Sequence, residues 1–523
     1  MTNARDVDLP ASPDERRGLL SNVDVVLDDQ PKFEEKATFP ALSSKKRGPL
    51  AGFLFLITLI LAANITGFEL WPRSQHDTRS GRHALYSNGT HEFKKTVLMV
   101  SIDGFRADYL DRGLTPHLLD IGREGLRAKY MRPVFPTLTF PNHWTLLTGL
   151  WTESHGIVAN DFWDPVFQET FHYYNVTSTK NPRWWLGEPI WETAERAGII
   201  TANLMWAGPW TTSSGVKPTY FLPWVEQPLP TKLSKLLEWI DLPLAIRPQL
   251  ILGYDPSVDH AGHGTGPMSE VVNTTLATVD LFVRNLTQAL GERNLTDIVD
   301  VIFVSDHGMT NMSHPTFLYV DEIVGQPWEG VITRDGWPSM GLRFTSGTNA
   351  TKVLEHLYQY TLAHPGQFDV FTAESFPTDP ATSSVDLNAF KHGKLDAGLQ
   401  PMPERYHFSA NYRIAPVWIV PRIGYALTYH GDTGSMPIGN HGYDNEEPSM
   451  HALFIAHGPF SKRAKAALAA RSEDQDEYLM PGFQNVEIYN LVRQLLGIDA
   501  AHAAKTNGTV GFWDSYVLPD AGT

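Results

Sequence analysis

The chain has 523 residues, 42% of them hydrophobic, and its 15 Trp and 26 Phe argue against disorder over most of its length. A formal net charge of −16 argues against generic nucleic-acid binding through a basic surface. There is no cysteine, which excludes disulfides, thiolate zinc sites and a cysteine nucleophile; any zinc is left to His and carboxylate ligands, and any covalent chemistry to an oxygen or nitrogen nucleophile.

Residues 1–47 mix acidic and basic side chains without apolar periodicity and read as a disordered cytosolic tail. Within it, the run from Glu15 to Leu19 and Leu20 resembles an acidic dileucine signal of the kind read by membrane-traffic adaptors. Gly48 to Leu70 is apolar and uncharged until Glu69, long enough at about 1.5 Å per residue to span a hydrocarbon core of about 30 Å. Lys45, Lys46 and Arg47 precede it directly, which favours an N-terminus left in the cytosol. The expectation is a single-pass type II protein whose bulk is lumenal or extracellular, at the cell surface or in the vacuole. Eight Asn-X-Ser/Thr sequons on the distal side agree with it: Asn88, Asn175, Asn273, Asn285, Asn294, Asn311, Asn349 and Asn507.

Residues 71–94 read as a charged stalk, and residues 95–500 as the main folded domain. Thr96 to Ile102 is a continuous β-type run without alternation, as expected of a strand covered on both faces, and it places Asp103 at the strand's carboxyl end. Helical patterns follow at Pro116 to Lys129, after Pro141 and near Pro189 to Ala197, then a strand at Ile199 to Met205. Leu250 to Tyr254 reads as a strand, and Met268 to Leu290 as a helix with Val272, Leu276, Val279, Val283, Leu286 and Leu290 at helical spacing. Val299 to Val304 is a strand ending in Ser305-Asp306-His307-Gly308. This alternation predicts an α/β fold with a doubly wound, mainly parallel sheet and ligands at the strands' carboxyl ends. Residues 330–429, with helix-like Val353 to Leu362 and β-prone Ala415 to Val420 and Tyr425 to Tyr429, break the pattern and read as an inserted subregion. The pattern resumes at His451 to His457 and the helix Val486 to Leu496, leaving residues 501–523 as a C-terminal tail.

Pro136 to Thr148 is the stretch on which the chemistry centres. Pro141 suits the first turn of a helix, and Thr139 stands just before it, where exposed amides favour a bound anion. A threonine there is by itself only a helix-end residue. Its company matters: Asp103, Asp259 and His263 four apart, Asp306 and His307 after a strand, and His441 in the Gly-flanked loop Asn440 to Asp444. Asp and His suit zinc at about 2.0 to 2.2 Å, and two metals about 4 Å apart can clamp both oxygens of an in-line phosphoryl displacement. Singly, Asp306 also reads as a helix cap and His441 as a turn residue, while His260 and His451 read as ordinary surface or core histidines.

The segments VSIDGFR, FPTLTFPNHWTLLTGLWTESHGIVAND, DHAGHGTGP, VSDHGM, PERYHFSANYRIAP and NHGYDN, in this order between Thr96 and Gly497, resemble the ectonucleotide pyrophosphatase/phosphodiesterase (type I phosphodiesterase) family of the alkaline phosphatase superfamily. The absence of cysteine-rich modules points to a minimal fungal-type member. The resemblance implies two Zn2+ per catalytic site, one held by Asp103, Thr139, Asp306 and His307 and the other by Asp259, His263 and His441. It implies that Thr139 is the nucleophile and that Asn160 hydrogen-bonds the phosphoryl oxygen. Hydrolysis of nucleoside triphosphates, dinucleotides or nucleotide sugars would then release nucleoside 5'-monophosphates through a phosphothreonine-type intermediate.

Phe140 and Tyr254 match aromatic positions that stack a nucleobase in nucleotide-cleaving members. The family's Trp-Pro-Gly-Ser segment appears here as Trp206-Ala-Gly-Pro209, a departure in one wall of that pocket. Two other readings stand beside this one: a lipid head-group phosphodiesterase or phosphoethanolamine transferase of the same superfamily, and a glycosylated membrane protein that keeps the fold as a binding module. A sulfatase is disfavoured, because its formylglycine needs Cys or Ser where Thr139 stands.

Overall fold

A computed structural model describes residues 84–325, 330–345, 348–372, 375–376, 385–386, 399–432, 434, 436–469 and 479–516. The tail with Glu15, Leu19 and Leu20 and the expected anchor Gly48 to Leu70 lie outside the described residues. Among the described residues, no helix is long and apolar enough to cross a membrane.

Strand Thr96–Ile102 is buried at every position. Its odd and even side chains enter two different cores: Val97 and Met99 join Leu250, Leu252, Ile302 and Val304 on one face, while Leu98, Val100 and Ile102 join Ile251, Val301 and Phe303 on the other. A strand that must satisfy two apolar faces cannot alternate with polar residues, and this is the physical source of its sequence pattern. It sits inside an eight-stranded sheet ordered Leu479–Met480, Leu126–Ala128, Phe454–His457, Val299–Val304, Thr96–Ile102, Leu250–Asp255, Thr201–Leu204, Tyr220–Leu222. Only Phe454–His457 runs against the rest, antiparallel to both its neighbours. Helices Pro116–Glu124, Leu229–Ile240 and Glu270–Glu292 contribute Leu118, Leu236 and Val283 to one core. Thr139–Thr148, Ile190–Arg196 and Ile488–Leu495 contribute Leu146, Trp191 and Leu491 to the other.

The region between the last two long strands of the main sheet builds a second sheet of five strands, ordered Val331–Asp335, Met340–Phe344, Val417–Pro421, Phe368–Thr372, Leu399–Pro401. It has its own apolar core, in which Leu342, Val417 and Ile419 meet Val353, Leu354 and Leu357 of helix Ala350–Ala363. Arg413, fully buried, ties this region to the hairpin at Asp161–His172: its Nε donates to Asp164 at 2.7 Å and its Nη1 to the carbonyls of Gly156 and Trp184.

Three boundaries differ from the sequence expectation. The helix from Pro116 ends at Glu124, where Gly125 caps it, and Leu126–Ala128 joins the main sheet as a strand. Sheet pairing outweighs the helical propensity of that short run. The stretch read as stalk carries an antiparallel ribbon, Tyr86–Ser87 with Glu92–Phe93, and Phe93 is buried under Arg247. In the stretch read as a C-terminal tail, Trp513 is buried against Phe454 and Phe483. Its indole N–H also donates to the Glu487 carbonyl at 2.8 Å, so the ring is held by packing and by a hydrogen bond.

Candidate active site

Three adjacent parallel strands deliver the carboxylates. Asp103 follows Thr96–Ile102 directly, Asp259 lies in helix Ser257–Thr265 after Leu250–Asp255, and Asp306 follows Val299–Val304. Thr139 is the first residue of helix Thr139–Thr148, whose preceding residue Leu138 offers no side-chain cap. The buried Asn142 side chain pins the approach to this helix: it accepts from the Val134 amide at 2.7 Å and donates to the Leu138 carbonyl at 2.9 Å. His441 follows the short strand Gly439–Asn440, which pairs with Thr310–Asn311.

These elements converge. Three sets of side chains each bring their ligand atoms within 4.8 Å of one another: Asp259, His263 and His441; Asp103, Asp259 and His307; and Asp103, His143 and Asp306. Thr139 Oγ lies 3.2 Å from His307 Nε2, and Asp259 Oδ1 lies 3.4 Å from Nε2 of both His263 and His441.

The histidines are oriented from behind. Nδ1 of His263 donates to the Gly439 carbonyl at 2.8 Å, Nδ1 of His441 to Thr137 at 2.9 Å, and Nδ1 of His307 to Gly308 at 2.9 Å. A proton fixed on Nδ1 leaves the Nε2 lone pair facing inward, the arrangement of a metal-ligating imidazole. His263 and His441 bring their Nε2 atoms to 3.1 Å of each other, so two lone pairs face one another. Asp103 Oδ1, Asp259 Oδ1 and Asp306 Oδ2 are buried with no hydrogen-bond donor. Orphaned carboxylate oxygens and opposed imidazole lone pairs are unfavourable unless cations neutralise them, so the donor set fits divalent metal ions.

The electrostatics agree. Burial, and then the charges of Asp306 and Asp259, push the Asp103 carboxyl well above the usual range. Burial, reinforced by His307 and His263, holds His441 well below the ordinary histidine value.

Asn160 presents its Oδ1 to the Phe140 amide at 2.9 Å and lines a cavity of about 520 Å³ that also touches His263 and His441. Phe140 is half-buried, with Phe171, Tyr173 and Trp185 around it at ring separations of 5.7 to 6.1 Å. Tyr254 and Trp206 are buried beneath the site, each edge-on to His143. The Tyr254 hydroxyl donates to Asp103 at 2.6 Å. Burial and the Asp103 charge push that phenol upward, which keeps it a donor. The sequons lie at the surface: Asn175, Asn294, Asn311, Asn349 and Asn507 are exposed, and Asn88, Asn273 and Asn285 half-buried.

Sequence reasoning passed over His143. It is fully buried one helical turn after Thr139, where its Nδ1 donates to the Thr139 carbonyl at 2.9 Å and lies 3.3 Å from Asp306; Ser101 donates to its Nε2 at 2.9 Å. The four-residue spacing from Thr139 was its one signal.

A sequence model of the family described as type I phosphodiesterase / nucleotide pyrophosphatase matches residues 97–444. The chain is 38% identical over 430 residues to an uncharacterized pyrophosphatase/phosphodiesterase of Schizosaccharomyces pombe, covering 81% of each chain. It is 32% identical over 545 residues to ectonucleotide pyrophosphatase/phosphodiesterase 1 of Saccharomyces cerevisiae, covering 91% of this chain and 66% of that one. Among solved structures, it resembles the murine ectonucleotide pyrophosphatase/phosphodiesterase 5, an inactive form with threonine replaced by alanine and bound to AMP, with a TM-score of 0.67 and 28% identity over 81% of this chain and all of that one. The family-model match over residues 97–444, together with 38% identity to a relative of which 81% is covered, places the protein among the enzymes of the type I phosphodiesterase/nucleotide pyrophosphatase family of hydrolases.

Proposed function

We propose that the protein is a zinc-dependent nucleotide pyrophosphatase/phosphodiesterase that hydrolyses nucleoside triphosphates, dinucleotides or nucleotide sugars to nucleoside 5'-monophosphates. The observation that carries this reading is the convergence of three orphaned carboxylate oxygens and three inward-facing Nε2 atoms beside the Thr139 hydroxyl. In this reading Asp103, Thr139, Asp306 and His307 hold one Zn2+ and Asp259, His263 and His441 the other. The two ions supply what a threonine lacks, a lowered hydroxyl pKa and offset charge on the attacked phosphoryl group.

The chain's residues do the rest. The Thr139 oxygen forms a bond to phosphorus as the bond to the departing oxygen breaks in line, leaving the nucleotide on the threonine. The threonine's proton passes to solvent, and the departing oxygen keeps the electron pair of the broken bond. Water then attacks the same phosphorus, and the bond from phosphorus to the Thr139 oxygen breaks with its electron pair on that oxygen. A proton from the attacking water restores the hydroxyl. Asn160, with Oδ1 fixed on the Phe140 amide, has its amide nitrogen left to donate to a phosphoryl oxygen. The half-exposed edge of Phe140 and the ring of Tyr173 face a nucleobase, while Tyr254 holds Asp103 in place. The AMP bound to the murine relative supports a nucleotide substrate. We further place the catalytic domain outside the cytosol on its N-terminal anchor, with the exposed sequons as glycan acceptors and the Glu15, Leu19 and Leu20 run as an adaptor signal.

The test compares a p-nitrophenyl nucleotide ester with p-nitrophenyl phosphate on the purified full-length chain, with and without chelator. Diesterase turnover should dominate, stop on chelation and return with zinc. Thr139→Ala should lower turnover by at least about 1,000-fold while zinc content stays near that of the wild type. Dominant monoesterase activity, or a Thr139→Ala protein that turns over normally, would overturn the reading.

A further inference from the structure

The 520 Å³ cavity has two sides. Asn160, Asp161 and Tyr173 form the first; Arg334, Gly336, Trp337, Met340 and Tyr429, all from the inserted region, form the second, with His263 and His441 also in the lining. The mechanism above uses only the first side.

The second side is built firmly. Strand Val331–Asp335 alternates, so Asp335 and Arg334 face opposite ways. Asp335 is buried, where it accepts from the Trp163 amide at 2.9 Å and from Arg343 at 3.2 Å. Gly336 donates its amide to the Asp161 carbonyl at 2.9 Å. These bonds stitch the strand end to the ribbon that carries Asn160 and leave Arg334 exposed on the cavity side. The Arg334 guanidinium lies 4.3 Å from the centre of the Tyr429 ring, within the range of a cation–π contact that orients its planar fork. Trp337 is fixed in turn by its indole N–H, which donates to the Leu427 carbonyl at 2.9 Å, two residues before Tyr429.

Among the described residues that line the cavity, Arg334 is the one with a permanent positive charge. A chain of net charge −16 otherwise repels a polyanion, so a fixed guanidinium at this place has a chemical meaning. When phosphorus passes to Thr139, the broken bond leaves its electron pair on the departing oxygen, and the departing half gains a negative charge. An arginine fork suits a phosphate oxygen pair better than any other side chain.

We propose that Arg334, steadied on Tyr429 and flanked by Trp337, forms the subsite for the departing half of the substrate, and that it selects leaving groups that carry phosphate. The proposal rests on the phosphodiesterase reading. It predicts that the inserted region, and not the nucleotide side, sets the preference for triphosphates and dinucleotides over simple nucleotide esters.

The experiment uses the full-length protein and measures kcat/KM for two substrates sharing one nucleoside: its 5'-triphosphate and its p-nitrophenyl 5'-phosphate ester, whose leaving group has no phosphate. Arg334→Ala should lose about 10- to 100-fold on the triphosphate and stay within about twofold of wild type on the ester, the span expected for one charged hydrogen-bonding group. Arg334→Lys, which keeps the charge but not the fork, should fall between. An equal loss on both substrates, or no loss on either, overturns the subsite. A wild-type protein that cleaves neither substrate instead overturns the phosphodiesterase reading itself, so the two failures are told apart by the unmutated chain.

Discussion

The sharpest test of the site's construction is a single methyl group at Gly104. This residue has φ +67°, follows Asp103, and donates its amide to Asp306 Oδ1 at 3.2 Å. A Cβ placed there would stand 2.9 Å from Asp259 Cα, 3.0 Å from its Cβ and 3.2 Å from its Oδ1. The nearest atom is backbone, and the approach falls about 0.5 Å short of ordinary contact, so Asp259 must move bodily in a close-packed interior. Because Asp259 Oδ1 faces both His263 and His441, its displacement opens the metal set on both sides. A misplacement of about 1 Å in a catalytic constellation is worth about 100-fold. Half of that, with weakened metal binding added, gives about 10- to 100-fold in kcat/KM for Gly104→Ala. The left-handed backbone alone contributes about 1 to 2 kcal/mol of destabilisation.

Gly113 separates the two effects. It has φ +74° with nothing within 4 Å of an added Cβ, so Gly113→Ala should lose a similar 1 to 2 kcal/mol and keep full activity. Turnover of a p-nitrophenyl nucleotide ester, zinc content by mass spectrometry and denaturant midpoints for the two variants decide the matter. If Gly104→Ala is as active and as metal-loaded as wild type, or Gly113→Ala loses as much activity, the wedge between Asp103 and Asp259 is not what shapes the site.

Two further outcomes concern the scaffold. Arg413→Met leaves Asp164 buried without its cation and two carbonyls without donors; it should destabilise by about 3 to 5 kcal/mol in denaturant unfolding, and a loss under about 1 kcal/mol would refute that role. Burial, against the Phe460 amide, Arg463 and Lys95, pushes the Asp300 carboxyl up to about 6. The folded state therefore holds this proton to higher pH than the unfolded chain, whose value is about 3.9. Its contribution of about 3 kcal/mol is complete below about pH 4 and lost as pH rises through about 6. Asp300→Asn keeps an acceptor for the Phe460 amide and should flatten the fall in stability between pH 4 and pH 7; superimposable pH curves for the two proteins would refute it.

What was readable in the chain follows from how each feature is encoded. Thr96–Ile102 and Val299–Val304 have in the structure the bounds that their mainly apolar, non-alternating runs predict, because burial on two faces favours apolar residues at successive positions. The helix Glu270–Glu292 was legible from one apolar stripe. The strand Leu126–Ala128 was not, since three residues carry no period and only its neighbours in the sheet make it a strand. His143 and Arg334 were missed for a different reason: their meaning lies in partners far along the chain, Ser101 and Asp306 for one and Tyr429 for the other. Tyr254, whose position suggested a nucleobase platform, has its ring against His143 and its hydroxyl on Asp103, placements that no local pattern encodes.

The register of the sheet is the step that joins sequence to site. Ser101 pairs with Tyr254 on one side and with Val304 on the other, so Asp103 and Asp306, each two residues farther on, leave adjacent strands at the same height. Asp259 lies in the helix Ser257–Thr265 that follows the third strand. Side chains alternate along a strand, and a slip of one residue in either pairing would turn an aspartate away from its partners and Ser101 away from His143. The two cores prevent that slip, because it would exchange Val97 and Met99 with Leu98 and Val100 between faces already filled by different helices. The apolar residues that carry no chemistry thus fix the spacing of those that do, and a substitution in the core of Thr96–Ile102 acts on the site through the pairing rather than through any contact with it.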